Sequence, residues 1–318
     1  MRAPGGARSI WTGIARRAAL AAGAALIHAG AGLHRLGRAD GDAETVPALP
    51  APDYEPHDRA QLEADLRRGI SEDEIVPYYQ PILALGTNEL VGFESLARWR
   101  HPHRGIIDPD IFIPIAEDTG AINDLCFALL RQACGDIRRW PPHLTLSINV
   151  SPLQICDSEL SLRLLQILYA NGLAPGRLIV EITESALIAN VAAARRTITS
   201  LRNAGIKVAL DDFGTGYSSL HHLRELQFDR LKIDRSFTQA LGTSAGDTIM
   251  RAIVDLGGGL GMPITAEGIE TAEQAGTMDQ LGCAYGQGFM YGRPMPAADA
   301  LVHIAQAEQS APRARAVG

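Results

Sequence analysis

What most limits the fold of this chain is a rhythm: short aliphatic or β-branched runs separated by longer stretches with the apolar period of a helix. The runs are VPYYQPILAL from Val76, ELVGFESLARW from Glu89, LTLSINV from Leu144, RLIVEIT from Arg177, IKVALDD from Ile206, DRLKID from Asp229 and MPITAEGI from Met262, with a weaker one near CAYGQGF from Cys283. A typical intervening stretch runs from Ile188 to Ala204, with Gly205 placed to end it. Such alternation builds βα units around a parallel sheet. About eight strands in about 250 residues fit a (β/α)8 TIM-type barrel better than an open doubly wound sheet. The first two strands lack a helix-sized connection, and GTNE after Leu85 reads as a hairpin, so one strand near the start is expected to run antiparallel.

Strand periodicity then sorts the polar residues, because side chains alternate faces. Glu94, Leu96 and Arg98 share a face opposite Phe93, Ala97 and Trp99. Asn149 lies opposite Leu146 and Ile148, Glu181 opposite Val180 and Ile182, Lys232 and Asp234 opposite Leu231 and Ile233, and Glu267 opposite Ile264 and Ala266. Adjacent Asp211 and Asp212 are expected to point to different sides. Strand after strand thus carries an acid, amide or lysine near its C-terminal end, and in a barrel these ends converge on the mouth where active sites form. One such residue alone is an ordinary solvated strand end; six strands in succession are not.

Two adjacent carboxylates raise each other's pKa and cost stability unless a cation neutralises them or water solvates them. Carboxylates with an amide oxygen, and without Cys or His, suit a hard cation such as Mg²⁺ or Mn²⁺ rather than zinc. An aspartate shared by two sites can bridge a metal pair about 3.5–4 Å apart, the arrangement used for in-line displacement at phosphorus. Lys232 among such acids is placed to orient or deprotonate a water; the bland reading pairs it with Asp234.

The formal charge of −7 gives no surface for duplex nucleic acid, and an acidic protein with an anionic ligand needs a local cation. The four cysteines, Cys126, Cys134, Cys156 and Cys283, show no C-x-x-C spacing, which argues against zinc and a disulfide framework and fits a reducing compartment. Arg2, Arg8, Arg16 and Arg17 precede AALAAGAALIHAGAGL, and Ala29-Gly30-Ala31 weakly resembles a cleavage site. That stretch is short for a membrane span and rich in Ala and Gly. The expected division is a disordered or weakly helical leader over 1–56, the barrel over 57–308 and a disordered tail over 309–318. Cytoplasmic placement is expected; N-terminal membrane association is the alternative. With Arg35 and Arg38 alone after the apolar stretch, a single span would send the barrel outside.

YYQPI, FESLARW, SINVS, EITES, ALDDFGTGYSSL, LKIDRSF, AEGIET and GQGF, in that order from about Asp58 to Ala307, resemble the successive motifs of the EAL domain, bacterial phosphodiesterases that linearise cyclic di-GMP to pGpG. The resemblance implies one metal held by Glu94, Asn149, Glu181 and Asp211, with Asp211 bridging to a second held by Asp212 and Glu267. It implies that Lys232 contacts the attacking water, that Gln80 and Arg98 hold substrate phosphate or sugar, and that Gln287 supports the water network. Asp234 and Glu270 resemble accessory acids near the substrate. Glu184 would brace the loop after Asp212, which Gly214 and Gly216 let move. A homodimer is also implied, with two Mg²⁺ or Mn²⁺ ions and cyclic di-GMP as the ligand.

Other readings fail on context. DFG at Asp212 lacks the glycine-rich loop and H-R-D of a kinase. GGGLG from Gly257 ends a helical stretch before a strand, the reverse of a dinucleotide loop. His221 and His222 follow the mobile loop and read as surface residues. The rival of a different class is a catalytically silent cyclic di-GMP sensor or protein-interaction module, which the intact acid and lysine positions oppose.

Overall fold

The structure, a computed structural model, describes residues 56–214, 223 and 225–310. The leader up to residue 55, Gly216, His221, His222 and residues 311–318 lie outside the described residues.

Eight strands close a barrel in the order β1 (Ile75–Ala84), β9 (Tyr285–Gln287), β8 (Ile264–Ala266), β7 (Arg230–Ile233), β6 (Lys207–Phe213), β5 (Leu178–Thr183), β4 (Thr145–Val150) and β2 (Leu90–His101), with β1 returning to β2. Six of the eight contacts are parallel, from β2 through β9. The other two belong to β1, which runs antiparallel to both β2 and β9. The expected antiparallel strand is therefore the first, made so by the tight turn through Asn88, whose φ is +56°. A ninth strand that sequence periodicity does not signal, β3 (Gly105–Ile107), folds back on the end of β2.

The outward faces of the strands are aliphatic because they meet helices. Leu146, Val150, Val180, Ile182, Leu210 and Leu231 join Leu164, Leu168, Ile198, Leu201 and Met250 in one core. A second core is separate: Leu62 and Leu66 of the helix Pro56–Ser71 close over Trp99, Ile107, Phe112 and Ile115. Polar contacts tie this helix to β2 and to Glu74, just before β1. His101 Nε2 lies 3.3 Å from Asp65, Arg68 pairs with Glu74 at 3.3 Å, and Trp99 Nε1 donates to Glu74 at 3.0 Å.

Two helix limits differ from the sequence pattern or explain it. The apolar period from Ile188 to Ala204 spans two helices, Glu184–Ala189 and Val191–Asn203, because the Asn190 side chain accepts from Ala193 N–H and caps the second. The glycines at 257–261 close the helix Ser244–Leu260 with Gly261 left-handed at φ +69°, a helix stop before β8.

Candidate active site

The inner face of the barrel carries the polar half of each strand's alternation, and at its C-terminal end these residues meet. Lys232, 1 % exposed, reaches inward from β7. Its Nζ lies 2.6 Å from Glu181, 2.7 Å from Glu267, 3.2 Å from Asp211 and 3.4 Å from Glu94, carboxylates supplied by β5, the loop after β8, β6 and β2. No ion pair to Asp234 accompanies these contacts among the described residues. Asp234 instead accepts from Ser236 N–H and caps the short helix Arg235–Gln239.

Asp212 reaches the same place by a backbone irregularity. Between β6 and β7 the register slips from Leu210↔Leu231 to Phe213↔Ile233, one extra residue on β6, and Asp212 takes φ +54°. This β-bulge cancels the alternation, a strained arrangement for a non-glycine residue that persists where a site needs it. The two aspartates therefore do not face opposite ways: oxygens of Asp211, Asp212 and Glu267 all lie within 4.8 Å of one another. Gly214 follows at φ +97°, donating its N–H to Glu184 Oε2 at 3.1 Å. A Cβ on Gly214 would lie 2.5 Å from the Phe237 ring.

Amides order the acids from the other side. Asn149 Nδ2 donates to Glu94 Oε1 at 2.6 Å, and Gln287 Nε2 donates to Glu94 Oε2 at 2.7 Å and to Gln80 Oε1 at 3.1 Å. Gln80 passes the chain on to Gly292 O. Glu270 is exposed and lines a small cavity with Gln80, Arg235, Glu267 and Phe289. Arg98 stands apart from the lysine cluster. It donates to Ala97 O at 2.7 Å, lies 5.9 Å from the Tyr78 ring centre and lines, with Asn149, a cavity of about 100 Å³ whose other walls include Leu96, Ile122, Leu125 and Ile148. Asp108 also lines it, a residue sequence reading passes over. The Asp-Pro at the head of the helix Pro109–Asp118 is the signal that marks it.

Burial and mutual repulsion set the charges. Burial, then the neighbouring acids against the pull of Lys232, pushes Glu181 up to about 8. Burial and adjacent Asp211 push Asp212 up to about 8. Burial raises Asp211 and Glu267 too. Burial alone would raise Glu94 as well, but Lys232 and the two amide donors outweigh it and hold this carboxyl low. Burial would lower Lys232, yet the four acids drive it well above its ordinary value. It is thus an ammonium that donates hydrogen bonds, and in this state it does not act as the base for a water.

Comparison with known proteins gives one consistent answer. The profile of the family described as "EAL domain" matches residues 63–294. An uncharacterized signaling protein of Caulobacter vibrioides is 42% identical over 240 residues, covering 75% of this chain and 30% of that protein. The bifunctional diguanylate cyclase/cyclic di-GMP phosphodiesterase MucR of Pseudomonas aeruginosa is 38% identical over 253 residues, 78% of this chain and 37% of that protein. The solved structure of the MucR phosphodiesterase in complex with c-di-GMP superposes with a TM-score of 0.72 at 38% identity, covering 76% of this chain and 99% of that one. The chain spans about a third of the length of the curated relatives it matches.

Proposed function

Because this chain belongs to the EAL domain family, we propose that it hydrolyses cyclic di-GMP to linear pGpG with divalent metal at the barrel mouth. The observation that carries this is the convergence of four carboxylates on Lys232 Nζ, with Asp212 turned into the same site by the β6 bulge. Five acids against one ammonium leave a charge that only bound protons or a further cation can offset. Their oxygens, with the Asn149 amide, suit Mg²⁺ or Mn²⁺. Glu94, Asn149, Glu181 and Asp211 would hold one ion, and Asp211, Asp212 and Glu267 a second. Such a pair supplies charge neutralisation, polarises the phosphate and lowers the pKa of water.

The chain's own residues do the rest. Lys232 donates its N–H bonds to the acids, and an attacking water or phosphate oxygen entering among them would accept from it in their place. Gln287 and Asn149 hold Glu94 ionised and oriented. Arg98 and Gln80, on the flank of the acid cluster, would receive the dinucleotide. Water adds to phosphorus, the P–O3′ bond breaks, and the 3′ oxygen leaves with a proton, giving pGpG with one free 3′ hydroxyl. The substrate is a cytosolic messenger, and free, buried Cys126, Cys134 and Cys283 agree with a reducing cytoplasm. Among the described residues no helix is long and apolar enough to cross a membrane.

Incubation of purified protein with cyclic di-GMP and Mn²⁺ or Mg²⁺, followed by nucleotide separation, should yield pGpG. Bound dinucleotide that survives prolonged incubation intact would move the assignment to a sensor.

The raised acids give a second expectation. Folded Glu181 and Asp212 keep protons up to about pH 8, whereas the unfolded chain releases them near pH 4. The folded state therefore binds more protons across this window, and the stability of the metal-free protein falls as pH rises through it. Glu94, held low, works the opposite way, but only below about pH 4.5. Thermal unfolding in a chelator should show Tm declining from pH 5.5 to 8, and Mn²⁺ should raise Tm more at pH 8 than at pH 5.5. A Tm increment independent of pH would contradict this.

A further inference from the structure

Arg230 opens β7 on the same inward face as Lys232, two residues below it, and is only 8 % exposed. A guanidinium at that depth is costly unless partnered. Its group lies 4.0 Å from the centre of the Tyr285 ring, and among the described residues no carboxylate pairs with it directly. Nη1 has no hydrogen-bond partner, and Glu181 Oε1, Ser147 Oγ and Thr265 Oγ1 are among the other buried atoms that share that condition on the inner face. One of these orphans is a donor, one a carboxylate acceptor, and two are hydroxyls able to play either part.

Strand register puts the donor and the acceptor at one level. Glu181 pairs with Ala209, and Ala209 pairs with Arg230. Two strand spacings separate the backbones by about 10 Å, and inward side chains converge across it. Ala209, between them in register, carries only a methyl group. Burial lowers the Arg230 pKa, and Tyr285 and then Glu181 act against that, favouring the charged form. Buried water occupies sites that offer it two to four polar partners, and these unpartnered atoms are of that kind.

We infer that Arg230 positions Glu181 from within the barrel, its Nη1 and Glu181 Oε1 joined through buried water held also by Ser147 and Thr265. The inference rests on the functional reading above, in which Glu181 is a metal ligand. Lys232 grips Oε2 at 2.6 Å from the mouth side; the water bridge holds the other oxygen from below. With both oxygens fixed, the carboxylate keeps its direction when a cation competes with Lys232 for it. Arg230 touches neither substrate nor reacting atoms and is a positioning residue.

The test is Mn²⁺ titration calorimetry on the full chain carrying Arg230→Met or Arg230→Lys, with thermal unfolding in chelator as the measure of folding. Arg230→Met should weaken Mn²⁺ binding by about 10–100-fold, the usual loss when a ligand's supporting partner is removed. Arg230→Lys should recover most of that loss. A folded Arg230→Met protein that binds Mn²⁺ as the wild type does would overturn the inference and leave the functional reading standing. Failure of the wild type itself to bind Mn²⁺ would remove that reading and this inference with it. Should Arg230→Met not fold, Thr265→Val and a high-resolution wild-type structure decide. Ordered water between Arg230 and Glu181, with weaker Mn²⁺ binding in Thr265→Val, supports the bridge; a dry gap overturns it.

Discussion

Lys232→Met is expected to slow cyclic di-GMP hydrolysis by about 10²–10⁴-fold, the usual worth of a positioned proton-bearing group, while Mn²⁺ affinity stays the same or rises. The ammonium lies within 3.4 Å of Glu94, Glu181, Asp211 and Glu267, so it competes with any cation for the same oxygens. Removing it deletes the hydrogen-bond donor proposed to meet water and phosphate but frees the acids for metal. Without metal the variant buries four unbalanced carboxyl groups, and these answer by holding protons, which calorimetry at two pH values would register as greater proton release on binding. Turnover assayed at saturating Mn²⁺ separates the two effects. A Met variant that loses metal binding would show that Lys232 holds the ligands in place and does not serve the chemistry.

Asp211→Asn should have the largest effect on metal itself. Asp211 belongs to both halves of the site: it contacts Lys232 beside Glu94 and Glu181, and its oxygen lies within 4.8 Å of those of Asp212 and Glu267. The amide keeps the shape and removes the charge common to both ion positions. Mn²⁺ affinity should fall by more than the about 10–100-fold that follows loss of an outer partner, and hydrolysis should become undetectable. Near-normal calorimetric binding in the Asn variant would mean that the bridging role belongs elsewhere.

The barrel and most of this site were legible because one physical rule carries both. Period-two alternation puts Glu181 and Lys232 opposite Val180, Ile182, Leu231 and Ile233, and the aliphatic face must meet helices, so the polar face must point inward. The rule fails where the backbone leaves the strand conformation. Asp212 was expected to face away from Asp211; the extra residue on β6 turns it back, and nothing local in DDFG separates a bulge from a continuing strand. Strand β3 escaped because Gly105–Ile107 is too short to show a period. The split at Asn190 escaped because the apolar spacing continues through it while the side chain caps. Tertiary proximity was out of reach for a different reason. Whether Lys232 meets one acid or four depends on the barrel's closure, which no local pattern shows. The capping contact of Asp234, whose carboxylate accepts from Ser236 N–H at the first turn of the helix Arg235–Gln239, was not legible either.

The reversed direction of β1 has a mechanical corollary. Because β1 runs against its neighbours, its first residue, Ile75, pairs with Trp99 near the far end of β2, beyond Glu94 and Arg98 toward the catalytic rim. The helix Pro56–Ser71 is consequently delivered to that rim, clamped to β2 through Trp99 and His101. A push or twist on this helix need not cross the barrel to be felt. It travels down a single strand, reaching Arg98 one residue from Trp99 and Glu94 four residues further on. The helix and β2 thus form a short lever whose working end carries the residues proposed to grip phosphate and metal.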